Sequence, residues 1–253
     1  MAGNTSRPGA TVASRVLAVL GAFDERHREL RLTDIARRAD LPPATAHRLV
    51  AELVAWGALQ RGADGYLVGH RLWELGLLAP VQTGLREAAS PFLHDVYGAT
   101  LATVHLAVRD GNQVLYLDRL AGRMSVPVVS TVGSRLPMHA TGVGKVLLAH
   151  APEEVQLEVL SDLRRVTPHT ITQPGRLRRE LARVRHDGYA TTHEEMTLGA
   201  CSVAVPVRGD GDEVVGAVGI VVPNLRRDRG RLVSALQVAA QGIQRTLARP
   251  PSR

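Results

Sequence analysis

Two short helical periods, a Pro-Pro turn and an Asp-Gly hairpin follow one another between Leu32 and Val68, and this order leaves little choice of local fold. Leu32-Thr33-Asp34-Ile35-Ala36 opens the first helix, with Thr33 placed to cap it and Asp34 favourable in its first turn. The helix is expected to run through Arg37 and Arg38 and stop near Asp40. Leu41-Pro42-Pro43 then leads into a second helix, since a proline suits an opening turn where its missing donor is not needed. That helix spans about Pro43 to Trp56 and ends at Gly57, a residue suited to a left-handed cap. Ala46, Leu49, Val50 and Leu53 form its inner face; Ala44, Thr45, His47, Arg48 and Glu52 form its outer face. Leu59-Gln60-Arg61 and Tyr66-Leu67-Val68 flank Gly62-Ala63-Asp64-Gly65, a hairpin pattern. Two short helices, a turn and a polar-faced second helix make a helix-turn-helix, and the hairpin is its wing. An amphipathic helix over Ser14–Phe23 and a charged turn over Asp24–Glu29 precede it.

No acid stands between Asp40 and Glu52, so the first two turns of the second helix can approach phosphate without repulsion. Pro43, Ala44, Thr45, His47 and Arg48 are therefore the expected DNA-facing residues, with Thr33 on the preceding helix and Arg61 on the wing. On pattern alone, a protein-binding winged module remains the alternative. The net charge of +7 decides little: residues 1–80 carry +2 of it and residues 81–253 carry +5. Lys145 is the only lysine against 30 arginines, a skew that genome base composition can produce. The local arrangement has to carry the reading.

His70–Ala79 reads as a helix that Pro80 ends or bends, and Thr83–Tyr97 as another that Ser90-Pro91 either breaks or restarts. Beyond Gly98 the hydrophobic period changes to two. Thr103–Val108 and Val114–Leu117 flank the turn Asp110-Gly111-Asn112, and Val126–Val132 is a further β-branched run. Pro152–Leu160 and Pro174–Arg185 are helical, the latter stopped near Gly188. Cys201–Val207 and Val214–Val222 are strands, and Arg229–Leu247 is a closing helix. Antiparallel strands flanked by helices give an α+β domain. No apolar run approaches the roughly 18–20 residues that span a bilayer, and the start of the chain lacks a secretion pattern, so a cytoplasmic location is expected. A single cysteine, Cys201, fits a reducing compartment. Met1–Ala10 and Pro250–Arg253 are expected to fray.

Enzymatic readings are weak. Gly142-Val143-Gly144-Lys145 resembles part of a phosphate loop, but His139 and Val146 occupy the places of its first glycine and its hydroxyl residue. The glycines fit a close turn into a helix better. Cys201 with His193 or His186 lacks an oxyanion pattern and a third orienting residue. The ten histidines show no zinc spacing. No catalytic residue, metal or cofactor is expected; His139 and His193 are either pocket or structural histidines.

The blocks Ser14-Arg15-Val16-Leu17, Leu32-Thr33-Asp34-Ile35-Ala36 and Leu41-Pro42-Pro43-Ala44-Thr45-Ala46-His47-Arg48-Leu49 together resemble the IclR family of transcription regulators. So do Leu136–Ala149, Gly188-Tyr189-Ala190, Glu194-Glu195, Gly199 and Ala204-Val205-Pro206-Val207, in the same order. The resemblance implies a winged helix-turn-helix domain over 11–69, a linker helix region over 70–89 that helps pair subunits, and an effector-binding domain over 90–249 with a six-stranded GAF-like sheet. It implies a DNA-binding regulator, a repressor rather than an activator, acting as a homodimer or dimer of dimers on a near-palindromic operator of double-stranded DNA. Its small-molecule effector would be held by Gly142 and Val143 in a turn, Val128 and Leu136 in an apolar wall, and Thr192 and His193 where many members carry two aspartates. Ser202 falls at a position often held by cysteine, and Gly219 and Val221 where the best-known member has two serines. Losing those hydroxyls leaves a less polar back wall, and Gly219 is expected to add room. The expected effector is therefore larger or more apolar than a two- or three-carbon keto acid: an aromatic acid, another organic acid or an amino-acid derivative. The alternative is a carboxy-terminal domain that only oligomerises.

Overall fold

The computed structural model describes residues 11–24, 26–78, 83–122, 125–226 and 228–248; the termini expected to fray, Ala79 and Pro80 lie outside them. Contacts divide the chain into two units, Met1–Val81 and Gln82–Arg253.

In the first unit, helices α1 (Val12–Leu20), α2 (Leu32–Arg38) and α3 (Pro43–Trp56) enclose Val19, Ile35, Leu49, Val50 and Leu59. Strands β1 (Glu29–Leu30), β2 (Leu59–Arg61) and β3 (Tyr66–Val68) form a small antiparallel sheet in the order β1-β3-β2, followed by α4 (His70–Leu77). α1 begins and ends earlier than its apolar spacing suggests, because the Thr11 hydroxyl accepts the Ser14 amide at 3.1 Å and starts the helix at Val12. The start of α2 also differs: Arg31 is the cap residue, its carbonyl accepting the amides of Asp34 and Ile35, and Thr33 lies inside the helix. The charged turn contributes β1, which pairs with β3, and Glu29 Oε1 accepts the Asp64 amide at 2.8 Å to pin the wing. α3 ends where expected, at Gly57 with φ 87°.

The second unit is built on a six-stranded antiparallel sheet. It comprises α5 (Thr83–Thr100), β4 (Thr103–Asp110), β5 (Gln113–Leu120), β6 (Arg135–Pro137), α6 (Gly142–Ala149), α7 (Glu153–Ser161) and α8 (Pro174–Asp187), then β7 (Ala190–His193), β8 (Cys201–Arg208), β9 (Val214–Val222) and α9 (Arg229–Leu247). The strand order is β6-β5-β4-β9-β8-β7. Side chains alternate between the two faces, and the faces differ in size. Val104, Leu106, Val108, Val203, Val205, Val218 and Ile220 pack under α5 and α9, whereas Ala107, Ala204 and Ala217 meet α6 and α8. Two expectations are corrected here. Ser90-Pro91 neither breaks nor restarts α5, which runs through Pro91 on its exposed side while Ala88, Ala89 and Leu93 hold it to the core. Val126–Val132 forms no strand; it crosses the α6 side of the sheet as irregular chain, where Val128, Val129 and Ser130 line a cavity.

Gly69 shows how tightly the wing is closed. Its amide donates to Ala58 O at 2.8 Å, and a Cβ there would run into the carbonyl of Gly57. Gly69→Ala must push backbone apart, so it is expected to destabilise the first unit by about 1–3 kcal/mol. Chemical denaturation of wild type and variant checks this; unchanged stability would show that the contact relaxes freely.

Candidate nucleic-acid interface and ligand cavity

The opening turns of α3 present Pro43, Ala44, His47 and Arg48 to solvent, with Thr45 half-buried between them. Thr33 is exposed on α2. Two neighbouring basic residues are otherwise engaged. Arg37 pairs with Asp34 at 2.7 Å, and Arg38 donates to Ala22 O at 2.6 Å and to Asp24 at 2.5 Å. The hydrogen bond from His27 keeps the Asp24 carboxyl below the usual carboxylate range. Among the described residues no side chain bonds Arg48, and Arg61 on the wing lies 5.5 Å over the Tyr66 ring while remaining exposed. The surface is thus a short polar helix opening with one uncommitted guanidinium, beside a second on the wing.

On the α6 side of the sheet lies a cavity, partly open to solvent, whose empty space is about 490 Å³ with the open solvent at its mouth included. Thr141 Oγ1 caps α6 by accepting the Gly144 amide at 3.2 Å, and Thr141 O accepts that of Lys145. The first-turn amides of Gly142 and Val143 have no intrahelical acceptor, as at any helix start, and both residues line the cavity. Thr192 and Ser202 meet across β7 and β8 with their hydroxyls 2.6 Å apart. Val128, Leu136 and Val221 supply apolar wall.

His193, expected beside Thr192, is not among the lining residues. Adjacent residues of a strand face opposite ways, so Thr192 turns inward and His193 is exposed. Gly219 lines the cavity, but the room it was expected to add is already taken. A Cβ there would stand 3.0 Å from Val143 Cγ1 and 3.3 Å from Ala204 Cβ. The glycine seats α6. His139 is structural: its Nε2 lies 2.9 Å from Arg164 O, and it stays out of the cavity. Cys201 faces the α5–α9 core, where burial pushes its thiol up, against any nucleophilic role.

Sequence reasoning passed over His105, Tyr116, Ser130, Thr141, Met196 and Thr197, all of which line the cavity. His105 is buried in mid-strand, and its Nε2 lies 2.8 Å from Ser130 Oγ. Burial, with Arg119 nearby, pushes its imidazole down to about 3. The available signal was a histidine inside a period-two run, but the period alone does not say which face opens on a cavity.

Lys145, which a phosphate-loop reading would aim at a ligand, is fully buried and points elsewhere. Its ammonium meets Glu195 Oε1 at 2.6 Å and Thr191 O at 3.2 Å. Thr167 and Thr170 donate to the carbonyls of Glu194 and Glu195, at 2.7 and 2.8 Å, and fix the same loop. Among the described residues no group of three or more metal-ligating side chains gathers, and no helix is long and apolar enough to cross a membrane.

Residues 12–63 match the IclR helix-turn-helix domain, and residues 79–245 match the bacterial transcriptional regulator IclR carboxy-terminal domain. The chain belongs to the IclR family. It is accordingly a DNA-binding transcriptional regulator. Among its relatives is the HTH-type transcriptional regulator XynR of Escherichia coli, 31% identical over 93% of this chain and 96% of the relative. The HTH-type transcriptional repressor AllR of Salmonella typhi is 30% identical over 91% and 86%. A solved IclR homologue from Microbacterium hydrocarbonoxydans, complexed with 4-hydroxybenzoate, is 40% identical, covers 94% of this chain and 99% of its own, and superposes with a TM-score of 0.89.

In this IclR regulator the Lys145–Glu195 pair joins α6 to the loop after β7. Removing one partner of a buried pair leaves an uncompensated charge. Lys145→Met is therefore expected to lose about 3–5 kcal/mol of stability, with part of it recovered in Lys145→Met/Glu195→Gln. Thermal unfolding of the single and double variants checks this; a double variant no better than the single would show that the pair is not the cause.

Proposed function

We propose that the chain is an effector-controlled repressor that grips a near-palindromic operator through α3 and the wing, and that its effector is an aromatic carboxylic acid. The observation that carries the ligand class is the cavity itself: one end offers Thr192, Ser202 and the amides of Gly142 and Val143, while Val128, Leu136 and Val221 wall the space beside it. Amides at a helix start favour an anionic group, and the apolar wall favours a ring over a two-carbon keto acid. The Microbacterium homologue, solved with 4-hydroxybenzoate, supports the same class.

A single winged domain buries too little surface for operator-grade affinity, so the regulator works as a homodimer or dimer of dimers. It acts in the cytoplasm, where its DNA is. Pro43, Ala44, Thr45 and His47 shape the groove-facing turn, Arg48 reaches a base edge or phosphate, and Thr33 and Arg61 flank it on backbone phosphate. The effector controls binding only as far as it favours one arrangement of the DNA-binding units over another.

Two measurements test this. Arg48→Ala is expected to weaken operator binding about 5- to 150-fold, as loss of about 1–3 kcal/mol of contact implies, with thermal stability kept. Unchanged affinity in a gel-shift titration removes Arg48 from the interface. In calorimetry benzoate-type acids are expected to bind and to weaken the operator complex; tight binding of glyoxylate or pyruvate with none of benzoates overturns the ligand class. Operator binding that no such acid alters leaves the second domain as an oligomerisation module.

A further inference from the structure

The register of the large sheet sets two rows of residues on the face that carries the cavity, whose floor takes in Val221, Ser202 and Thr192 of one and His105, Gly219 and Ala204 of the other. Thr103, Val221, Ser202 and Thr192 are successive partners across β4, β9, β8 and β7. Arg119, His105, Gly219 and Ala204 make the next row on the same face, across β5, β4, β9 and β8. Polar groups therefore stand at both ends of the floor, with Val221 and Gly219 between them. The Thr192–Ser202 hydroxyl pair marks one end. The other holds His105 and Ser130, 2.8 Å apart and each only 3% exposed. Two strand spacings, about 10 Å, separate β4 from β8, the scale of one ring with a polar group at each end.

The second end is not used up by its own hydrogen bond. The His105 imidazole, neutral at ordinary pH because of its burial, has one donor and one acceptor; the Ser130 hydroxyl has both. One bond between them leaves capacity for a third group of either kind. The Tyr116 ring, edge-on at 5.0 Å from the imidazole, holds its plane.

We infer that the His105–Ser130 pair is a second recognition pole, which selects aromatic acids carrying a hydroxyl or amino group at the end of the ring opposite the carboxylate. This rests on the aromatic-acid reading of the cavity and adds the substituent to it. The two poles fix the ligand's direction: carboxylate toward α6, hydroxyl or amine toward β4.

Titration calorimetry on the full chain with benzoate, 4-methylbenzoate, 4-hydroxybenzoate and 4-aminobenzoate tests the pole. A site built to bond a hydroxyl rejects an analogue that leaves its polar groups unpaired. The 4-hydroxy and 4-amino acids are expected to bind at least fivefold more tightly than 4-methylbenzoate, a ratio that falls below twofold in Ser130→Ala. Ser130→Ala serves as the variant because it changes less of the core than any replacement of His105, and circular dichroism confirms that it is folded. A wild-type ratio under fivefold, or a ratio that Ser130→Ala leaves intact, overturns the second pole while benzoate binding keeps the aromatic-acid reading. Binding of none of the four acids by folded protein overturns both.

Discussion

α6 lies close on the sheet because small residues stand beneath it. Ala107, Ala204, Ala217 and Gly219 are among the sheet residues on its side, and on the helix Gly142 and Gly144 leave no room for a Cβ against Ser202 and against the Met138 carbonyl. Every residue of α6 is buried, including the ammonium that Glu195 neutralises. This close seat positions the rest of the second unit. It aims the free amides of the helix start along the sheet face, and it fixes the loop after β7 through Lys145. The space beside its first turn becomes the cavity. A larger residue at 219 would lift the helix, since Val143 already fills that gap at 3.0 Å; the small residues belong to the packing first and to the ligand only through it.

How much of this was legible follows from which signals are local. The inner face of α3, its Gly57 stop, the wing turn and the β8, β9 and α9 boundaries are set by spacing and by caps within a few residues, and these the sequence displayed. β6 and β7 are three and four residues long and exist through pairing with β5 and β8, so no period announces them. Pro91 misled because propensity penalises an interior proline whereas packing against α9 outweighs it. The residue-by-residue resemblance pointed to Gly142, Val143, Thr192, Ser202 and Val221, all of which line the cavity. It also pointed to His193, which the strand pleat turns away from the cavity lining. His105 and Ser130 are separated by a β-hairpin and an irregular segment, and only the folded sheet brings them within a hydrogen bond.

Net charge proved a poor guide for a related reason. Three of the arginines near α3 have partners within the chain: Arg38 with Ala22 and Asp24, Arg37 with Asp34, and Arg71 stacked 4.4 Å over Trp56. Arg38, 29% exposed and held by two acceptors, brings little to phosphate. What distinguishes the outer face of α3 is the acid-free opening turn and an Arg48 with no internal partner, which a count of charges does not register.

The chemistry of the two ends of the cavity is unequal, and the inequality sets the direction in which a ligand enters. The amides of Gly142 and Val143 can only donate, so they demand an acceptor and reward a carboxylate. His105 and Ser130 each combine a donor with an acceptor, and a neutral imidazole offers no net charge to attract an anion. A carboxylate turned toward β4 would lose the helix amides and gain only neutral partners. A hydroxyl or amine turned toward α6 would make only neutral hydrogen bonds with amides that bind a carboxylate more strongly. Both mismatches penalise the reversed pose, so a ligand bearing the two different groups is oriented without any charged side chain in the cavity lining.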